Sequence, residues 1–155
     1  VLKHAKCPVV LIRPGAKDRR KVVLATVNYQ AQTTQQRQLN RQITERAKYI
    51  AEVYGAELHL VNAFLDSMLY PDRGALAKLA DKTGVPTDRI HVKQGYTNEV
   101  VAEIAKEIDA DLVVMGTLNQ YGETGSLLRG NTAERVIGSV DTDVMVCNAF
   151  TTTAH

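Results

Sequence analysis

The chain has 155 residues, of which 45% are hydrophobic and 23% charged, and a formal net charge of +2 from 19 basic and 17 acidic side chains. That length fits one globular domain, and the even charge balance argues against a nucleic-acid binder or a basic membrane-surface protein. The longest apolar runs, such as Pro8–Ile12 and Leu112–Met115, are far too short to span a bilayer.

Val1–Pro14 lacks a long apolar segment followed by a small-residue cleavage site, so no secretory signal is read there and the expected location is the cytoplasm. Two cysteines, Cys7 and Cys147, make neither a disulfide framework nor a closely spaced metal clip. Both sit in apolar runs, where thiols are usually inert, and no disulfide between them is expected.

In chain order, Lys21–Asn28 is a short valine-rich run that reads as a buried strand. After the polar stretch Tyr29–Gln32, the spacing of Leu39, Ile43, Ala47, Ile50, Ala51 and Tyr54 predicts a helix over Thr34–Tyr54 with one apolar stripe. Thr33 and Gln36 match a capping box, and Gly55 closes the helix. Glu57–Ala63 is a second strand, and Pro71 to Gly84 holds a short helix with Leu76, Leu79 and Ala80 on one side.

Arg89–Lys93 is a third strand, ending at Gly95. Asn98–Asp109 is a helix with Val101, Ile104, Ala105 and Ile108 inward, capped by Thr97 or Asn98. Asp111–Gly116 is a fourth strand. A glycine-bearing loop, Thr117–Gly130, leads to a helix near Asn131–Ser139, and Asp143–Cys147 is the fifth strand. The tail Thr151–His155 reads as frayed.

Strands that alternate with helices and are continuously apolar predict a parallel sheet covered on both faces. Right-handed crossovers make it a doubly wound, Rossmann-like α/β fold. In such sheets a ligand sits at the carboxyl ends of the strands, at the topological switch point.

Residues 1–14 align without gaps on residues 136–149. Val1 matches Val136, Leu2 matches Ile137, Val9 matches Val144, and Val10, Leu11 and Ile12 match Met145, Val146 and Cys147. Each copy reads as a helix end, a turn and an apolar strand, which suggests a tandem array. Two unrelated buried strands are the simpler alternative.

These residues resemble the universal stress protein family. Residues 4–14, HAKCPVVLIRP, are similar to the last strand of such a domain, and Asp111–Gly116 followed by Thr117 to its fourth strand and phosphate-loop entry. Gly130-Asn131-Thr132-Ala133-Glu134 resembles the E-type tandem members, which carry two domains in one chain. The second helix is short for the family, and Leu69–Leu76 is where a deletion, or residues absent from this sequence, would fall. The resemblance implies a five-stranded parallel sheet in the order 3-2-1-4-5. It implies residues 1–14 as the terminal strand of a preceding repeat, 15–20 as a linker, 21–150 as the domain and 151–155 as a tail.

The resemblance further implies a non-enzymatic stress-response protein, active in survival under starvation or damage, with a site for ATP or another adenine nucleotide. Members that bind ATP have an Asp at the end of the first strand and a hydrophobic residue of the second strand against adenine. A Gly-x2-Gly-x9-Gly-(Ser/Thr) loop follows the fourth strand; its glycines let backbone N–H groups approach phosphate, and the next helix N-terminus favours an anion.

Carried over position by position, the implied nucleotide residues are Asn28, Val61, Met115, Gly116, Asn119, Gly122, Gly125, Gly130, Asn131 and Thr132. The chain departs from the pattern at several of these. Asn28 stands where Asp is found, Asn119 replaces the second glycine, and 13 residues rather than 12 separate Gly116 from Gly130. Gly122 and Gly125 can rebuild the cradle in a shifted register, and Thr132 lies one step beyond Asn131. The bland reading of these glycines is a surface loop and a helix cap. Any nucleotide affinity is expected to be weak, with no metal beyond the magnesium that accompanies a nucleotide.

His59 and His91 each alternate with apolar neighbours and have no metal-ligand spacing; a solvent-facing or simply hydrogen-bonded role is expected for both. Tyr29, Tyr96 and Tyr121 follow strands, where they could stack on a base or pack as loop residues. Two other function classes remain: an adenine-nucleotide-using enzyme of the same α/β class, and a purely structural dimerisation module. The loop after the first strand carries neither an H-x-G-H nor an S-G-G-x-D-S signature, which weighs against the enzyme. The expected partner is a second domain of the same kind, in cis or in a homodimer through edge strands. Neither a membrane nor nucleic acid is expected.

Overall fold

A computed structural model of the chain describes residues 8–13, 20–28, 33–65, 71–117 and 133–148. Six strands form one sheet: β1 (Val9–Leu11), β2 (Val22–Thr26), β3 (Glu57–Phe64), β4 (Ile90–Gln94), β5 (Leu112–Thr117) and β6 (Asp143–Asn148), in the order β1-β6-β5-β2-β3-β4. The pairs β2–β3, β2–β5, β3–β4 and β5–β6 are parallel. The five strands foreseen from the sequence therefore lie in the expected 3-2-1-4-5 order, and β1 is added antiparallel beyond the fifth.

The strands are apolar on both sides because both sides are covered. Leu24, Val61, Val113, Met115, Val144 and Val146 pack on one side under Val100, Val101, Ile104 and Ala105 of helix α3 (Thr97–Glu107), together with Ala133, Val136 and Val140. The latter group belongs to or follows a helix of residues 133–139. Val23, Ala25, Leu58, Leu60, Leu112 and Val114 pack on the other side under Leu39, Ile43, Ala47, Ile50 and Ala51 of helix α1 (Thr34–Tyr54). Each buried aliphatic side chain contributes roughly 1.5–3 kcal/mol.

Local signals fix the helix ends. The Thr33 side chain accepts from the Gln36 backbone N–H, and Gly55 ends α1 in the left-handed region at φ 62°. Helix α2 (Arg73–Thr83) is capped by Asp72, whose carboxylate accepts from the Ala75 N–H, and ends at Gly84 with φ 77°.

Some boundaries differ from the sequence reading. Helix α3 begins at Thr97 with Tyr96 in the cap position and no side-chain cap bond, so neither Thr97 nor Asn98 caps it. The helix stops at Glu107, two residues early, and Asp109 takes φ 54°. Arg89 belongs to a 3-10 turn, Thr87–Arg89, rather than to β4. Asp111 precedes β5; its N–H donates to the Val22 carbonyl at 2.8 Å, and its carboxylate accepts from the backbone N–H groups of Lys21 (2.8 Å) and Val22 (3.1 Å).

That carboxylate begins a knot at the amino-terminal ends of the strands. Arg20 donates to the Asp111 carbonyl (3.1 Å) and pairs with Asp143 at 3.0 Å. Asp143 also accepts from the Arg13 N–H at 2.8 Å, while the Arg13 guanidinium donates to the carbonyls of Thr142 and Ile137. Strand β1 is thereby tied to β6 by side chains as well as by the ladder.

Candidate functional site

The chain runs from β2 to β3 on one side and returns to β5 on the other. The carboxyl ends of β2 and β5 therefore flank the switch point where a doubly wound sheet holds a ligand. Asn28 follows β2 there, and Gly116 and Thr117 end β5.

Asn28 is exposed, and its backbone is clamped by the Asn40 side chain of α1: the Asn28 N–H donates to the Asn40 carbonyl oxygen at 3.0 Å, and the Asn40 amide donates back to the Asn28 carbonyl. A polar side chain is thus presented at the switch point on a fixed backbone. Thr117 alternates with Met115 and Val113, so it faces the α3 side. It is only 3% exposed, yet its hydroxyl has no hydrogen-bond partner among the described residues. A buried polar atom without a partner costs about 1–3 kcal/mol, and a ligand oxygen at the strand end would relieve that cost.

The other carried-over residues are placed differently. Val61 is 1% exposed and Met115 is 2% exposed, both in the core under α3. Gly116 faces α1: a Cβ added there would lie 2.7 Å from Leu39 Cδ1 and 2.8 Å from Ile43 Cδ1. Its lack of a side chain is accounted for by helix packing. Asn119, Gly122, Gly125, Gly130, Asn131 and Thr132 lie outside the described residues, as do Tyr29, Tyr121 and Cys7. Against an adenine nucleotide, the exposed Asn28 and the orphaned Thr117 hydroxyl fit, as polar groups on neighbouring strand ends.

Two clefts lie at the opposite, amino-terminal ends of the strands. One, of about 640 Å³, has Arg13, Lys106, Asp109, Asp111, Asp141 and Asp143 among its lining residues; the other, of about 390 Å³, lies between the ends of α1 and α2. Neither contains Asn28, Gly116 or Thr117. Tyr96 is exposed at the carboxyl end of the sheet, next to α3.

Of the two roles expected for the histidines, the structure has the hydrogen-bonded one. His59 is buried, its Nδ1 lies 2.9 Å from His91 Nε2, and its Nε2 lies 2.9 Å from Glu57 Oε1. The two ring planes are 13° apart and the centroids 5.2 Å apart, so the rings lie nearly coplanar and meet edge to edge through the N···N contact. They are 32 residues apart in sequence, and the parallel register that pairs Val61 with His91 brings them together. Period-two alternation places both on the α3 side of the sheet, so the signal was present, but only once the β3–β4 register is known.

Hydrogen bonding to His59 holds the Glu57 carboxyl below its ordinary value, with the Arg89 charge adding to the effect. Cys147 is buried and free, and burial pushes its thiol up to about 11. No cluster of three or more His, Cys, Asp or Glu side chains among the described residues is arranged to hold a metal ion. No helix among them is long and apolar enough to cross a membrane.

Residues 21–148 match the profile described as the universal stress protein family. The universal stress protein E homolog of Haemophilus influenzae is 30% identical over 94% of this chain and 53% of its own length. A functionally unknown protein of Pseudomonas aeruginosa PAO1 superposes with a TM-score of 0.81 at 28% identity, over 96% of this chain and 54% of the other. A universal stress protein solved in complex with cAMP superposes with a TM-score of 0.58 at 21% identity, over 85% of this chain and 99% of the other. The chain thus spans about half the length of the first two proteins.

Proposed function

The chain belongs to the universal stress protein family, and on that premise we propose that it is a non-enzymatic, cytoplasmic stress-response module with a weak adenine-nucleotide site at the β2/β5 switch point. The observation that carries this reading is the pair of polar groups at that point, the exposed Asn28 and the unpartnered Thr117 hydroxyl. The cAMP bound by a protein of the same fold supports adenine as the base. Asn28 offers a neutral amide where nucleotide-binding relatives carry a carboxylate, and the spacing from Gly116 to Gly130 is one residue longer than in their loops. Both lower the expected affinity. Hydrogen bonds to ligand groups are worth about 0.5–1.5 kcal/mol each, so the loss of two costs on the order of tenfold to a hundredfold.

Calorimetric titration with ATP, AMP and cAMP tests the proposal. Binding weaker than micromolar, reduced severalfold by Thr117→Val and by Asn28→Ala, supports it. No heat and no thermal shift with any of the three nucleotides would reject it in favour of a structural interaction module. Submicromolar ATP binding would show instead that the shifted Gly122/Gly125 loop forms a competent cradle. Nucleotide turnover above background would make the protein an enzyme.

For the domain organisation we propose residues 1–14 as the terminal strand of a preceding repeat, 15–20 as a linker and 21–150 as the stress-protein domain, with a second such domain as partner in cis or through a homodimer. The antiparallel pairing of β1 with β6 supports this reading, because it joins the two strands that the internal alignment equates.

A further inference from the structure

The Glu57–His59–His91 chain lies at the start of β3 and β4, away from the switch point, and the proposed nucleotide site does not use it. Its donors and acceptors follow from chemistry. A carboxylate only accepts, so His59 Nε2–H donates to Glu57 (2.9 Å). The neutral His59 then has a bare Nδ1, and His91 Nε2–H donates to it (2.9 Å). His91 keeps its own Nδ1 as the one ring nitrogen outside the chain of bonds.

One proton from solvent can join without breaking any of these bonds, by binding His91 Nδ1. A second would have to sit on His59 Nδ1, which already accepts the His91 proton. Two N–H groups would then point at each other between two edge-to-edge cations, with ring centroids 5.2 Å apart. The bond must break and the rings must separate.

The neighbours set the field. Glu57 lies on β3, Arg89 on the turn before β4 at 3.9 Å from Glu57, and Glu107 of α3 acts on His91. Farther along β4, Lys93 pairs with Glu103 of α3. On β2 the residue paired with His59 is Leu24, which is apolar. Burial is the main influence holding the His91 imidazole below its ordinary value, repulsion from a protonated His59 adds to it, and Glu107 opposes it. Strand β4 is the edge of the sheet, with β3 as its sole strand neighbour among the described residues.

We propose that Glu57, His59 and His91 form a proton-operated latch on edge strand β4, which accepts one added proton and opens on the second, loosening β4 from β3 and α3 in acid.

Two measurements test it on the intact chain. Long-range nitrogen–proton NMR of the imidazoles at pH 7.5 should find the proton on Nε2 of both histidines. Amide protection factors should be followed for Ile90–Gln94 from pH 7.5 to 5, with Leu112–Thr117 as reference. Each extra proton taken up on opening changes the opening equilibrium up to about tenfold per pH unit. Protection in β4 should therefore drop at least severalfold while β5 is steady. His91→Gln, or His91→Phe if that variant does not fold, should abolish the drop. A proton on His59 Nδ1 at pH 7.5, a flat or parallel response of β4 and β5, or a drop that survives in the folded variant would each overturn the proposal.

Discussion

Val10 and Met145 are related twice: the internal alignment matches them, and they are Cα partners at the centre of the antiparallel ladder. Val9 aligns with Val144 but pairs with Val146, and Leu11 aligns with Val146 but pairs with Val144. Two equivalent strands thus meet about a local twofold axis through the Val10–Met145 pair, the geometry of an isologous contact.

Removing residues 1–14 should therefore expose a self-complementary edge. The bare β6 strand would present Val144, Met145 and Val146 without a partner on that side. The truncated chain is expected to lose solubility or to sediment as a dimer. Sedimentation velocity decides the matter, and a soluble monomer indistinguishable from the intact chain would contradict it.

Gly116→Ala is expected to destabilise the fold without reference to any ligand. The new methyl would meet Leu39 and Ile43 inside ordinary contact distance. Overpacking of this kind costs about 1–3 kcal/mol, or some 2–4 °C in Tm per kcal/mol for a chain of this size. Shortening Leu39 to Ala alone should also cost stability, about 2–5 kcal/mol. The double variant should cost less than the sum, because one change makes room for the other. Additive effects in urea denaturation would sink the packing explanation.

Asp143→Asn should weaken the tie between β1, β6 and the start of β2. The carboxylate is buried, accepts from the Arg13 N–H and pairs with Arg20. The amide retains one acceptor but leaves the half-hidden Arg20 charge poorly matched, at about 1–3 kcal/mol. Denaturant midpoints should fall, and amide exchange in β1 should quicken more than in β3. An unchanged midpoint would mean that Arg20 finds an equally good partner.

Stability should decline in two stages on acidification. His91 is held below its ordinary value of 6.5, so the unfolded chain binds the more protons, and stability is lost as pH falls through that value. Glu57 is held below 4.5, mainly by its bond to His59, so its contribution is present above that value and lost as pH falls through it. A urea midpoint that stays level between pH 7.5 and 5.5 would contradict the first stage. His91→Gln should flatten that stage and leave the second.

The order of the five parallel strands was implied by the family resemblance, whereas the sequence by itself determined the alternation of strands and helices and the helix ends at Thr33, Gly55 and Gly84. These are short-range signals, in which residues a few positions apart choose the local backbone and the apolar pattern chooses the face. Tertiary structure decided what depends on register and on the approach of distant elements. The His59–His91 contact needs the β3–β4 pairing, and the Asp111 carboxylate meets the N–H groups of Lys21 and Val22 only because β5 lies beside β2. Gly116 reads in sequence as the entry to a phosphate loop, yet in space the Leu39 and Ile43 side chains of α1 fill the place its side chain would take. A missing side chain looks the same in sequence whether a ligand or a leucine fills its place, and only the packing of α1 on the sheet tells them apart.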